Sequence, residues 1–110
     1  MMTLEKIDYA KDLFKVLSTN ERIRVANVLC NVNEIAVGDI ADIVGIQQSM
    51  TSRYLADLRK NRMADYRRDS QINFYSLLPE AKELMSHILL PFQHLPEFQA
   101  DIKSIARLGY

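Results

Sequence analysis

The stretch from Asp39 to Leu58 constrains the fold more than any other part of the chain. Ile40, Ile43 and Val44 recur at the spacing of one helix face, and the pattern stops at Gly45, a residue free to take positive φ and turn the backbone. A second helix is predicted from about Gln47, with Thr51, Leu55 and Leu58 at i, i+4 and i+7 as one buried stripe. Two short helices about a glycine make a helix-turn-helix, here 39–61. Gln48, Ser49, Ser52, Arg53 and Arg59 fall largely off the stripe. Small polar, amide and guanidinium groups at the start of an exposed helix face are what base edges and phosphates in a major groove require.

The rest of the chain leaves room for one domain, 1–110. Apolar residues make up 48% and charged residues 25%, an ordinary globular balance that argues against disorder. The uninterrupted apolar runs are far too short to span a membrane, and Met1 to Lys6 include Glu5 where a signal peptide carries only basic charge. The expectation is a cytoplasmic protein, and the single Cys30 fits a reducing compartment and excludes an internal disulfide framework. Net charge is zero, which argues against indiscriminate coating of nucleic acid. Residues 53–69, however, hold six cations (Arg53, Arg59, Lys60, Arg62, Arg67, Arg68) against three carboxylates (Asp57, Asp65, Asp69), so a local positive footprint coincides with the second helix and the hairpin region after it. A plain alternative is a solvated helix end whose cations favour the C-terminal dipole.

Leu4, Ile7, Ala10, Phe14 and Leu17, with Leu13 beside them, predict an amphipathic helix over 4–17. Ser18 and Glu21 form a Ser-x-x-Glu capping-box pattern that opens a helix containing Ile23, Ala26, Val28 and Leu29 and ending near Cys30. Residues 33–38 read as a connector or a short extended segment. Asn61 tolerates the left-handed conformation at a helix end, and beyond it two strand-like runs, Met63–Arg68 and Ile72–Leu77, are joined by Asp69-Ser70-Gln71. This predicts a basic hairpin, a wing over 63–77, with Tyr66, Phe74 and Tyr75 packing it onto the body. Pro79 suits the first turn of a helix carrying Ala81, Leu84, Met85, Ile88, Leu89 and Phe92, which kinks or ends near Pro91. A last amphipathic segment, Glu97 to Leu108, presents Phe98, Ile102, Ile105 and Leu108.

Element order, length and several local strings together resemble the ArsR/SmtB family of dimeric winged-helix repressors over residues 10–78. Asp12-Leu13-Phe14-Lys15-Val16-Leu17, with Arg22 five positions on, is similar to that family's passage from first to second helix. Gln48-Ser49-Met50-Thr51-Ser52-Arg53-Tyr54-Leu55 resembles its Gln-Ser-Thr-Val-Ser-Arg-His-Leu recognition helix, with Tyr54 in place of histidine. Phe74-Tyr75-Ser76-Leu77 resembles the Tyr-Tyr-x-Leu that closes its wing. The resemblance implies DNA binding, and the departures bear on what is sensed. Ala36-Val37-Gly38 stands where the family's thiolate sensors carry Cys-Val-Cys, and Pro79 and Ala81 stand where a second family site carries Asp-x-His. Asn61-Arg62-Met63 replaces a common Gly-Leu-Val, and the wing tip lacks a frequent glycine.

Other chemistry has little support in the residues. His87 and His94 are seven apart with Glu83 as the only local helper, short of the three or four ligands zinc or nickel requires, so no metal site and no cofactor is assigned. Cys30 reads as buried packing first and as a redox thiol second, since a redox switch needs a lowered pKa and preferably a resolving partner. No phosphate loop, nucleophile elbow or His-Glu-x-x-His is present, so the chain is not read as an enzyme, and the five scattered methionines are gap-fillers.

The combined expectation is a mainly α chain with a β-hairpin wing, a winged helix-turn-helix that forms a homodimer through terminal helices 4–17 and 79–108. Its function is sequence-specific transcriptional regulation, a repressor on an inverted-repeat operator in double-stranded DNA. Gln48, Ser49, Ser52 and Arg53 would read bases, with Met50 and Tyr54 at thymine methyls or the backbone, and Arg59, Lys60, Arg67 and Arg68 would neutralise phosphates. Leu4, Ile7, Leu84, Ile88, Phe92, Phe98, Ile102 and Ile105 carry more apolar surface than one small core buries, the physical case for the dimer. The alternatives are a winged-helix protein-interaction module whose 53–69 face docks an acidic partner, and a regulator switched by redox or a small molecule through Cys30 or a pocket between the terminal helices.

Overall fold

Helix α2, Asn20–Cys30, is the hub of the molecule. A computed structural model describes residues 7–110. Five consecutive α2 residues, Val25 to Leu29, are buried, a pattern that arises only when a helix is covered on nearly all sides. Its neighbours are α3 (Val37–Val44), α5 (Pro79–Leu89), α6 (Pro96–Arg107) and a small sheet. The N-cap of α2 is Thr19, whose Oγ1 accepts from the Arg22 N–H at 3.1 Å, while Ser18 donates back to the Lys15 carbonyl at 2.6 Å. The Ser18/Glu21 capping box therefore does not form: the cap lies one residue later, and Ser18 instead closes the preceding helix.

That helix, α1 (Ile7–Val16), buries Tyr9, Leu13 and Val16 and leaves Ile7 and Phe14 in solvent. Its sequence is apolar on two adjacent faces, and the body takes the 9/13/16 stripe rather than the predicted one. Leu4 lies outside the described residues.

The segment 33–38 does become extended, but only over β1 (Ile35–Ala36), and α3 begins directly after it. Gly45 closes α3 at φ 76°, with its N–H bonded to the Ala41 carbonyl at 2.8 Å, the left-handed stop the helix-turn-helix needs. α4, Gln48–Lys60, buries Thr51, Leu55 and Leu58 as expected, and Tyr54 with them. At its end Asn61 stays at φ −89° and the left-handed residue is Arg62 at φ 61°. Asn61 is held by its own side chain, which donates to the Asp57 carbonyl at 2.9 Å.

β2 (Ala64–Asp69) and β3 (Ile72–Leu77) pair antiparallel from Ala64↔Leu77 to Asp69↔Ile72, and β1 adds to the other edge of β3 with Ile35↔Tyr75 and Ala36↔Phe74. The hairpin loop is two residues, Ser70 at φ 50° and Gln71 at φ 68°; both positive values are the mark of a type I′ turn, the one whose twist matches that of paired strands. Alternation puts Ala64, Tyr66 and Arg68 with Leu77, Tyr75 and Asn73 on the body side, and Asp65, Arg67 and Asp69 with Ser76, Phe74 and Ile72 on the outer side. Tyr66 and Tyr75 stack at 5.3 Å between centroids, and Tyr75 is buried, so these aromatics seat the wing on the core.

Pro79 starts α5 at its first turn. The helix stops at Leu89, a single 3-10 turn at Leu90–Phe92 carries Pro91, and α6 begins at Pro96 and packs back against α2 and α3. The return buries Phe98 and Ile105 in the protomer's own core, at 3% and 5% exposure. These two residues are therefore withdrawn from the dimer surface: they serve the fold of one chain. Among the described residues no helix is long and apolar enough to cross a membrane.

Candidate nucleic-acid interface

Thr51, Leu55 and Leu58 pin α4 into the body and so decide what α4 shows to solvent: Gln48, Ser49, Met50, Ser52 and Arg53, all exposed. Gln48 and Ser52, one turn apart, share a cleft of about 420 Å³ with Gly38 and Asp39 at the start of α3 and with Gln71 and Asn73 of the wing. The first turn of α4, the start of α3 and the wing tip thus line one concave face. A second cleft of about 270 Å³ sets Met50 and Arg53 beside Thr19 and Arg22 at the start of α2.

Tyr54 does not belong to this surface. It is 4% exposed, its hydroxyl donates to the Val16 carbonyl at 2.6 Å, and burial pushes its pKa well above the ordinary value. Its ring lies 5.5 Å beneath the Arg22 guanidinium. At i+3 from Thr51, Tyr54 falls on the edge of the buried stripe, and its length reaches the C-terminal end of α1, whose last carbonyls have no helical partner. It joins helices and cannot touch DNA from there.

The cations after α4 differ in how they are held. Arg59 lies 4.5 Å over the Tyr66 ring and 3.8 Å from Asp65, at the root of the wing. Lys60 is exposed. Arg68, on the body side of the wing near its tip, donates to the Asn73 side-chain oxygen at 3.1 Å, and Asn73 lines the cleft shared with Gln48 and Ser52. Arg67, on the outer side, is occupied. Its guanidinium crosses the Phe74 ring at 4.7 Å, and its Nε donates to both Glu34 oxygens at 2.8 and 2.9 Å while Nη2 bonds Oε2. Nothing in the local sequence signals this pair, since Glu34 precedes β1 and meets Arg67 only through the three-stranded register.

The C-terminal Tyr110 was also invisible to sequence reasoning. Its hydroxyl donates to Asp39 at 2.6 Å and accepts from the Ala36 N–H at 3.1 Å, so the C-terminal end of the chain, just beyond α6, is tied to the first turn of α3. Asp39 favours the N-terminal dipole of α3 and takes this hydrogen bond as well.

Cys30 is half-buried. Burial pushes its thiol above the ordinary pKa, against smaller opposing effects of a Ser86 hydrogen bond and the nearby Lys82 cation. A raised pKa depletes the thiolate, the reactive species, and argues against the redox reading. His87 and His94 are both exposed, and among the described residues no three His, Cys, Asp or Glu side chains gather into a metal-holding group.

The family described as bacterial regulatory protein, arsR family, matches residues 19–66, from the α2 cap into the wing. The cadmium resistance transcriptional regulatory protein CadC homolog of Staphylococcus aureus is 34% identical over 85 residues, which cover 76% of this chain and 69% of that one. HlyU from Vibrio cholerae superposes with a TM-score of 0.70 at 26% identity over 84% of this chain and 98% of that structure. The homodimeric winged helix-turn-helix DNA-binding domain of Mb0332 from Mycobacterium bovis superposes at 0.69 and 21% identity over 80% of this chain and 82% of that one, a likeness of fold alone. With a winged helix-turn-helix whose recognition helix shows amide, hydroxyl and guanidinium groups beside a wing, and with these relatives, the chain belongs to the ArsR family of DNA-binding transcriptional regulators, not to any class of enzyme.

Proposed function

We propose that this regulator acts as a homodimeric repressor, occupying an inverted-repeat operator with one α4 in each of two successive major-groove faces about 10 bp apart. The observation that carries the reading is the shared concave face of α4 and wing tip: Gln48 and Ser52 with Asn73, to which Arg68 is hydrogen-bonded, while Arg53 lies in the neighbouring cleft beside Arg22. Gln48, Ser49, Ser52 and Arg53 are assigned to base edges, Met50 to thymine methyls, and Arg59, Lys60 and Arg68 to phosphates.

One such face makes few base contacts, and the apolar surface of α1 and α5 offers the means to double them. Ile7 is 84% exposed, Phe14 and Leu90 66% each, and Phe92 48%. Phe14, Ile88 and Phe92 line a cavity of about 550 Å³ between α1, α2 and the α5/α6 corner. Half-buried Leu84 and Ile88 continue this apolar face along α5. An exposed apolar patch of this kind is the usual mark of an interface, and a second copy supplies a matching one by symmetry. Ile102, half-buried on α6, is a lesser candidate.

The test is fluorescence anisotropy with genomic fragments at two salt concentrations, beside sedimentation of the free protein. The reading requires at least one fragment bound far more tightly than a random duplex, with two chains per site. Uniform affinity across fragments, or a monomer on DNA, would refute it.

A further inference from the structure

We infer that Glu34 is an internal stand-in for a DNA phosphate, which withholds Arg67 from the interface and lowers the protein's affinity for DNA of any sequence. The inference rests on the proposed DNA binding and adds a residue that opposes it.

Among the six cations of residues 53–69, Arg67 has the side chain most fully answered by protein carboxylates. Nε donates to Oε1 and Oε2 of Glu34, Nη2 bonds Oε2, and Nη1 lies 3.5 Å from Asp69 Oδ2. The planar fork of a guanidinium fits a carboxylate and a phosphate by the same geometry, so one occupant excludes the other. The clamp is set by the sheet: Arg67 pairs across β2 and β3 with Phe74, Phe74 pairs with Ala36 on β1, and Glu34 lies two residues before Ala36. The guanidinium lies along the Phe74 ring at 4.7 Å and so reaches across the outer face of the wing to the far edge. Arg67 and Glu34 side chains remain 54% and 34% exposed, so the pair stays open to exchange. Arg68, one residue on, projects to the opposite face, where its partner is the neutral Asn73 amide.

An arginine that is already neutralised within the protein gains little by displacing a DNA counterion, because the released cation must be weighed against the broken ion pair. Freed of Glu34, the same guanidinium adds one phosphate contact. Glu34→Gln and Glu34→Ala should therefore bind a fluorescein-labelled random 30-bp duplex about 3- to 10-fold more tightly at low salt, with the log–log salt slope steeper by about one unit.

Removing a carboxylate near DNA helps binding by charge alone, and a double-mutant cycle separates the two effects. The affinity gain from Glu34→Gln is measured once with Arg67 present and once in the Arg67→Ala background, with circular dichroism of each variant to confirm folding. Stand-in behaviour gives the gain and the steeper slope only when Arg67 is present. An equal gain in both backgrounds reduces Glu34 to one unit of repulsion, and a loss of affinity on Glu34→Gln makes the pair a brace for the wing. Either result overturns the inference. If the unaltered protein binds no duplex at all, the DNA-binding reading itself falls.

Discussion

Arg24 on α2 and Asp101 on α6 form a bidentate pair across 77 residues of sequence, with Nε to Oδ2 at 3.0 Å and Nη2 to Oδ1 at 2.7 Å. Asp101 is 1% exposed. Its hydrogen-bonded carboxylate raises the Arg24 pKa against the cost of burial, with smaller support from Glu97 and Glu21. Through this pair and through Tyr110 on Asp39, the C-terminal region is fastened to both the hub helix and the first helix of the helix-turn-helix.

Arg24→Ala leaves a buried carboxylate without its partner and should destabilise the fold by about 3 kcal/mol, whereas Arg24→Met with Asp101→Leu should recover most of that loss. Urea unfolding measures both. A cost below about 1 kcal/mol for Arg24→Ala would mean that solvent reaches Asp101 readily.

Tyr54→Phe removes the hydroxyl that satisfies the Val16 carbonyl and should cost about 1–2 kcal/mol of stability. Operator affinity of the folded variant should match that of the original. A selective loss of DNA affinity with unchanged thermal stability would return Tyr54 to the DNA surface.

Gln48→Ala and Arg53→Ala should each cost about 1–3 kcal/mol of operator affinity while leaving the unfolding midpoint in place, since both side chains are exposed and off the Thr51/Leu55/Leu58 stripe. Arg68→Ala should weaken all sequences alike and flatten the salt slope by about one unit. Anisotropy titrations across a salt series decide between base reading and phosphate contact.

Ile7→Glu and Phe14→Glu place charge on side chains that are exposed in the protomer, so the monomer should fold normally and fail to dimerise. Sedimentation equilibrium reads the change directly. Dimers of undiminished affinity in both variants would move the interface off α1.

Raised pKa values have a defined sign for Cys30. The neutral thiol is the form the fold favours, so its contribution is present below the ordinary thiol pKa and lost as pH climbs through the raised folded value. Alkylation by iodoacetamide near pH ~7.5 should run slower than for a free thiol, and Cys30→Ser should leave DNA binding intact under oxidant. Faster alkylation than free cysteine would restore the redox switch.

Local rules made much of this protein legible from its sequence. The glycine stop at Gly45, the 51/55/58 stripe and the strand propensities of 72–77 each rest on residues within one or two turns of one another, and each appears where the sequence places it. Errors arose where two local solutions were nearly equal. Ser18 and Thr19 both offer a capping hydroxyl, α1 offers two adjacent apolar faces, and Tyr54 sits at the border of a stripe; only the neighbours packed against each decide which wins. The burial of Phe98 and Ile105 belongs to the same class, because an amphipathic helix announces an apolar face but not whether its own chain or a second copy will cover it. Arg24–Asp101, Tyr110–Asp39 and Arg67–Glu34 were beyond sequence reasoning altogether. Charged and polar pairs carry no periodicity, and their partners lie 33 to 77 residues apart, so they exist only once α6 has folded back on α2 and three strands have come into register.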